Sequence, residues 1–211
     1  MPFQHACFIS YRHCQSELGK RIVNDLYEAI AGELELMTER TVYLDRERLE
    51  GGYFYNEALA RDLCKSVCMI SVFTPTYFSL DHKYCAREFQ AMENLERERL
   101  ALLADPGDQS RGLIIPIVFR GWNSIPPHIK ERRLCYNFAE FLLSDDGMHR
   151  HPSYAPKIRQ IAEYVAERCN RFEALGVDPC ATCDEFPLPS EEEVEPWLRE
   201  VVTSQVPFPG R

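Results

Sequence analysis

Tyr84 and Glu88 stand one helical turn apart in the stretch DHKYCAREF (81–89), where the pattern predicts that a helix begins. That spacing puts both side chains on one helix face. Tyr84 offers a flat apolar ring to a base, and Glu88 a carboxylate that accepts hydrogen bonds from a sugar hydroxyl. An N-glycosidic bond breaks through an oxocarbenium-like state, and a carboxylate beside it stabilises charge that develops only in the transition state. The plainer reading is that Glu88 complements the positive end of a helix dipole. Spacing alone leaves both open.

Other residues suggest weaker chemistries. Cys180-Ala-Thr-Cys183 supplies half of a zinc ligand set and no second pair follows, so no metal is expected and two free surface thiols are the simpler reading. His82 and Cys85, three apart, suggest a thiol nucleophile but have no third orienting group, and Cys85 reads as core. Gly51-Gly52 is not a phosphate-binding fingerprint and reads as a mobile loop. The run from Glu96 to Arg99 reads as a solvated helix face.

Positioning these residues requires alternating strands and helices. ACFISYR (6–12) is a β-prone run, and Ser16 then caps a helix with Leu18, Ile22, Leu26, Ile30 and Leu34 on one face. TVYLD (41–45) is a second strand, followed by a loop around Gly51 and Gly52 and a helix over FYNEALARDLCKS. VCMISVF (67–73) and LIIPIVF (113–119) are continuously apolar, as strands covered on both faces are. Between them lie a long helix over 83–103 and a surface loop, DPGDQSRG (105–112). LCYNF (134–138) is a short fifth strand, and Ile158, Ile161, Val165 and Cys169 mark a last helix. This alternation predicts an α/β fold with a parallel sheet, right-handed crossovers and helices on both faces.

In open sheets of this kind ligands bind beyond the carboxyl ends of the strands, where the strand order reverses. An order of 2-1-3-4-5 puts that crevice between the first and third strands. Ser10, Tyr11 and Arg12, the 45–52 loop and the 74–88 segment then border it.

Composition narrows the partners. A net charge of -9 argues against direct nucleic-acid binding or an anionic membrane surface. The longest apolar runs are too short to span a bilayer, and the N-terminus lacks the pattern of a secretory signal. The cysteines are scattered through apolar segments and read as buried thiols of a cytoplasmic protein, not a disulfide framework. After Gly176 the chain turns Pro- and acid-rich, as a tether or surface wrap does. Pro196 opens a short helix there, over 196–204, with Trp197, Leu198, Val201 and Val202 on one face. The ending QVPFPGR resembles a linker, so an upstream sensor or fused domain is an expected partner.

CFISYRH, VYLDRERLEGGYF and TPTYFSLDHKYCAREF, in this order and spacing, resemble the signature segments of a TIR (Toll/interleukin-1 receptor) domain. The resemblance covers about residues 5–172, including IIPIVF followed by Gly121-Trp122, so 1–175 is taken as the domain and 176–211 as the tail. It is nearest to the NAD-cleaving TIR domains of prokaryotic defence proteins and of the animal axon-degeneration enzyme. The resemblance implies a flavodoxin-like five-stranded parallel sheet. It implies that Glu88 is catalytic, with Tyr84 in the aromatic position where Trp is more common, and Cys85 between them. Arg12 matches a basic residue suited to a pyrophosphate, its plain alternative being an ion pair with Asp45. Asp45 and Glu50 match acids of a mobile loop, and Trp122 an aromatic near the site.

The function expected from this resemblance is NAD+ glycohydrolase or ADP-ribosyl cyclase activity in an immune or cell-death response, such as antiphage defence. NAD+ is then a consumed substrate and no cofactor is needed, and TIR–TIR self-association is expected. The alternative is a non-catalytic TIR adaptor, which has no need of the Tyr84–Glu88 pair. A phosphoreceiver-like domain would want an acidic cluster ending the first strand, and CFISYRH has none.

Overall fold

A computed structural model describes residues 3–13, 15–45, 55–143 and 147–204. Its five strands, β1 (His5–Tyr11), β2 (Thr41–Leu44), β3 (Ser66–Phe73), β4 (Ile114–Val118) and β5 (Tyr136–Asn137), form one sheet in the order β2-β1-β3-β4-β5. All neighbouring strands are parallel. The fold is the flavodoxin-like α/β arrangement that the sequence pattern implies, with the order reversing between β1 and β3.

β3 is buried along its whole length, because helices cover both faces of the sheet. α1 (Glu17–Glu35) and α6 (Tyr154–Glu173) pack together on one side, and α2 (Tyr55–Cys64) and α3 (Tyr84–Leu100) on the other. Short helices α4 (Pro106–Gln109) and α5 (Pro127–Arg132) flank β4. Ser16 caps α1 by accepting from the Gly19 N–H at 3.2 Å. Leu26, Ile30 and Leu34 of the expected stripe are buried, whereas Leu18 stays 45% exposed at the rim of a cleft.

Pro116 sits inside β4, where a missing N–H should break a ladder. Val118 accepts from Phe138 and Phe119 donates to Phe73, so alternation turns the amide position of residue 116 towards β5. β5 pairs only with Ile117 and Val118, so the ladder stops before the defect.

Three expectations fail. The run from Glu96 to Arg99 is not a solvated face: Arg99 is 2% exposed and donates to the Ser66 carbonyl at 2.8 Å and to that of Cys64. Glu96 accepts from the Leu113 and Ile114 amides and from Arg133. Within the 105–112 loop, Asp108 is buried and paired with the fully buried Arg168 at 2.5 Å. Each of these charged groups has a partner distant in sequence, which local periodicity does not register.

The tail supplies the third. Cys183 is no free surface thiol: it is buried and disulfide-bonded to Cys64 at the end of α2, and Cys180 is a buried thiol beside them. The last helix, α7 (Glu191–Ser204), begins before Pro196 and contains it. Ser190 accepts from the Glu193 N–H at 3.2 Å while Glu193 accepts from the Ser190 N–H at 2.6 Å, a reciprocal cap that outweighs the proline as the start signal. Val194, Leu198 and Val201 are buried, and Trp197 lies 5.3 Å from Phe78 and 6.1 Å from Phe89, centroid to centroid. The tail is a strap on α2 and α3. Among the described residues, no helix is long and apolar enough to cross a membrane.

Candidate functional site

β1 and β3 end side by side at the order reversal, with Ser10 in register with Ser71. Alternation along β1 sends consecutive side chains to opposite faces. Ser10 faces α3, and its hydroxyl donates to Glu88 Oε2 at 2.5 Å. The Tyr77 hydroxyl lies 2.7 Å from Ser10 Oγ. A serine has a single hydroxyl proton, here committed to Glu88, so Tyr77 donates to Ser10. The result is a relay, Tyr77 to Ser10 to Glu88, in which each bond polarises the next. Ser10, Tyr77 and Glu88 are 1%, 1% and 6% exposed. Burial pushes the Tyr77 phenol well above its ordinary range, and the neighbouring Cys85 and Glu88 add to the push, so it remains a donor.

Ser71 adds an unusual feature. Its Oγ is buried and has no hydrogen-bond partner among the described residues. Such an orphan costs free energy, and it lies one strand from the serine that holds Glu88.

On the other side of the strand ends is a cleft of about 510 Å³, lined by Tyr11, Arg12, His13, Thr76, Phe119 and Arg120 among others. That volume is within the range of small-molecule sites. The Tyr11 hydroxyl donates to the Asp45 carbonyl at 2.7 Å and its ring stacks on His13 at 4.6 Å. Arg12 does not pair with Asp45. It donates to the Thr76 carbonyl at 2.9 Å, and His13 Nε2 takes the place beside Asp45 Oδ2, at 3.4 Å.

Tyr84 is the first residue of α3, and Glu88 follows one turn later. The Tyr84 ring is half-buried, with the Arg87 guanidinium 5.4 Å from its centroid. Trp122 lies in a 3-10 turn after β4, its ring under Lys130 of α5 at 5.0 Å. The turn needs Gly121, at φ 74°, whose added Cβ would come within 2.8 Å of Pro75. Glu50, with Gly51 and Gly52, lies outside the described residues.

Ser10 and Glu88 are thus brought into contact, and Tyr11 and Asp45 likewise. Trp122 is placed against α5. Four contributors were missed in the sequence: Tyr77, His13, Arg87 and Tyr43. Tyr43 stacks on Phe8, and burial, then Asp62 and Asp45, push its phenol up. Tyr77 was within reach of sequence reasoning, since TPTYF follows β3 directly and borders the crevice. A second cleft of about 520 Å³ near the start of β4 is lined by Arg111, Arg133, Glu163 and Glu167 among others. Arg111 pairs there with Glu167, and Arg133 with Glu93 and Glu96, so these charges hold the fold together. Among the described residues no group of three or more acidic, His or Cys side chains is arranged to hold a metal.

No protein-family model matches the chain, and no curated protein matches it in sequence. What the site can do therefore follows from its geometry: a buried carboxylate held by hydroxyls at the reversal point of an α/β sheet, with a cleft that Arg12 and Arg120 line on the opposite side of the strand ends.

Proposed function

We propose that the chain is a TIR-type NAD+ glycohydrolase or ADP-ribosyl cyclase acting in an immune or cell-death response. The observation that supports this best is the Tyr77–Ser10–Glu88 relay at the strand-order reversal. Nicotinamide leaves with the bonding electron pair, and positive charge grows on the ribose. A carboxylate whose orientation is already fixed stabilises that charge without reorganising. Water then adds to give ADP-ribose, or the adenine attacks to give a cyclic isomer. In this reading Arg12 meets the pyrophosphate, Tyr84 stacks on the base, Asp45 and Glu50 belong to the loop that closes the crevice, and Trp122 borders it. The compartment is the cytoplasm, where the substrate is at hand.

The rival reading, a non-catalytic TIR adaptor, draws on the 6% exposure of Glu88, which is low for a group that must touch substrate. Closure by a neighbouring copy reconciles the two, because a crevice at the edge of one sheet covers a dinucleotide on one side only. The test is NAD+ cleavage across a protein concentration series, with products resolved by chromatography and assembly followed by sedimentation velocity. The enzyme reading expects nicotinamide release whose rate per molecule rises as the chain self-associates. Self-association without nicotinamide release at any concentration would establish the adaptor instead.

A further inference from the structure

The tail is fastened to the domain at two corners. At one, Cys183 is bridged to Cys64 and Lys65 binds Asp184 at 2.6 Å. At the other, Lys83 binds Glu195 at 2.7 Å and Arg87 donates to the Pro189 carbonyl at 2.5 Å, while Trp197 packs on Phe89. Lys83, Arg87 and Phe89 flank Tyr84 and Glu88 on α3, so the tail is joined to the helix that carries the candidate site.

The first corner contains a third sulfur. The Cys180 thiol donates to the Cys64 carbonyl at 3.7 Å, and the Cys183 N–H donates to the Cys180 carbonyl at 3.0 Å. That turn keeps the α carbons of Cys180 and Cys183 within about 7 Å, close to what a disulfide spans. Arg99 is the cation of the corner: it donates to the Cys64 carbonyl, and its charge favours the Cys180 thiolate. All three cysteines are 8% exposed or less, so a solution thiol reaches the bridge only after local opening, whereas Cys180 is already inside.

We propose that Cys64, Cys180 and Cys183 form a thiol–disulfide exchange site, in which Cys183 passes its bridge between Cys64 and Cys180 and so fastens or releases the tail. The Cys180 thiolate attacks Cys183 Sγ, the Cys64–Cys183 bond breaks, and Cys64 leaves as a thiolate that takes up the proton Cys180 shed. One disulfide replaces another, so no oxidant or reductant is consumed. A bridge across 119 residues becomes a local one within the tail. Arg99 stabilises either thiolate, partly offsetting the burial that lifts the Cys180 thiol to about 11. A third thiol inside the corner makes the bridge exchangeable, as redox-sensing disulfides are, where a permanent staple needs only two.

The experiment holds the full chain in glutathione buffers of stepped ratio, quenches with acid, alkylates free thiols with N-ethylmaleimide and maps bridges in unreduced peptides. Wild type should give both the 64–183 and the 180–183 bridge, and Cys180→Ser only the first. Cys64→Ser, restricted to the local bridge, should show amide exchange in α7 faster by on the order of 10-fold or more. Absence of a 180–183 bridge at every ratio, with Cys180 always alkylated, would overturn the proposal. So would equal α7 exchange in wild type and Cys64→Ser. If Cys64→Ser does not fold, the Cys180→Ser comparison decides. No readout involves NAD+, so failure here is distinct from failure of the enzyme reading.

Discussion

Of the three charged residues that α3 buries, Arg87, Glu88 and Arg99, the last two lie towards opposite ends and are held differently. Arg99, towards the C-terminal end, gives its hydrogens to backbone carbonyls of Cys64 and Ser66, which are fixed by the fold. Glu88, towards the N-terminal end, accepts from a side-chain hydroxyl, that of Ser10, which is itself held by another, Tyr77. Backbone partners hold a residue in one place and cannot change their proton. A chain of buried hydroxyls orients its carboxylate through side chains, and it sits where the strands end and the helix begins, with an orphaned hydroxyl, Ser71, nearby. On the proposed function, the contrast is between a charge that assembles the fold and one that meets a ligand.

The largest expected effect is at the Glu88 end. Glu88→Gln keeps the shape and an acceptor for Ser10, so the chain should remain folded. Loss of the negative charge should lower NAD+ turnover by roughly 10²–10⁴, measured as nicotinamide release per folded molecule. At the other end, Arg99→Met leaves two buried carbonyls without the guanidinium. It should cost about 2–4 kcal/mol and lower Tm by on the order of 5–15 °C, seen by calorimetry, with turnover per folded molecule little changed. If instead Glu88→Gln lowers stability and Arg99→Met lowers turnover, the distinction collapses.

The smallest effect concerns the head of the relay. Tyr77→Phe removes one hydroxyl, and turnover should fall by about 10-fold or less, the scale of one neutral hydrogen bond. The same variant tests the raised phenol. A phenol that holds its proton more tightly in the folded state stabilises the fold fully below the unfolded value of about 10, and this contribution is lost as pH rises towards the folded value. Stability against pH should therefore fall less steeply above about pH 10 in Tyr77→Phe than in wild type. Identical alkaline limbs in urea melts would show that the phenol is not held in this way.

The same contrast explains what the sequence reveals. VCMISVF and LIIPIVF are legible as covered strands because burial on both faces writes a continuous apolar run. Tyr84 and Glu88 are legible because helical spacing is a local rule. The relay is not, since Tyr77 and Ser10 are 67 positions apart and only the β1–β3 pairing brings them together. Nor are Arg99 and Glu96, whose polar types suggest solvent until their carbonyl and amide partners from other elements are in place. The Cys64–Cys183 bridge is hidden for the same reason, as spacing does not determine pairing. Ser190 and Glu193 are a different case: the reciprocal cap is written locally, but Pro196 is a competing start signal six residues on.

The central claim is that the carboxylate at the head of α3 breaks the N-glycosidic bond of NAD+. Its most direct measurement is nicotinamide release from NAD+ by wild type and Glu88→Gln, side by side at equal and high folded concentration. The account predicts release by wild type and a fall of roughly 10²–10⁴ in the variant. Equal release by the two folded proteins would contradict it.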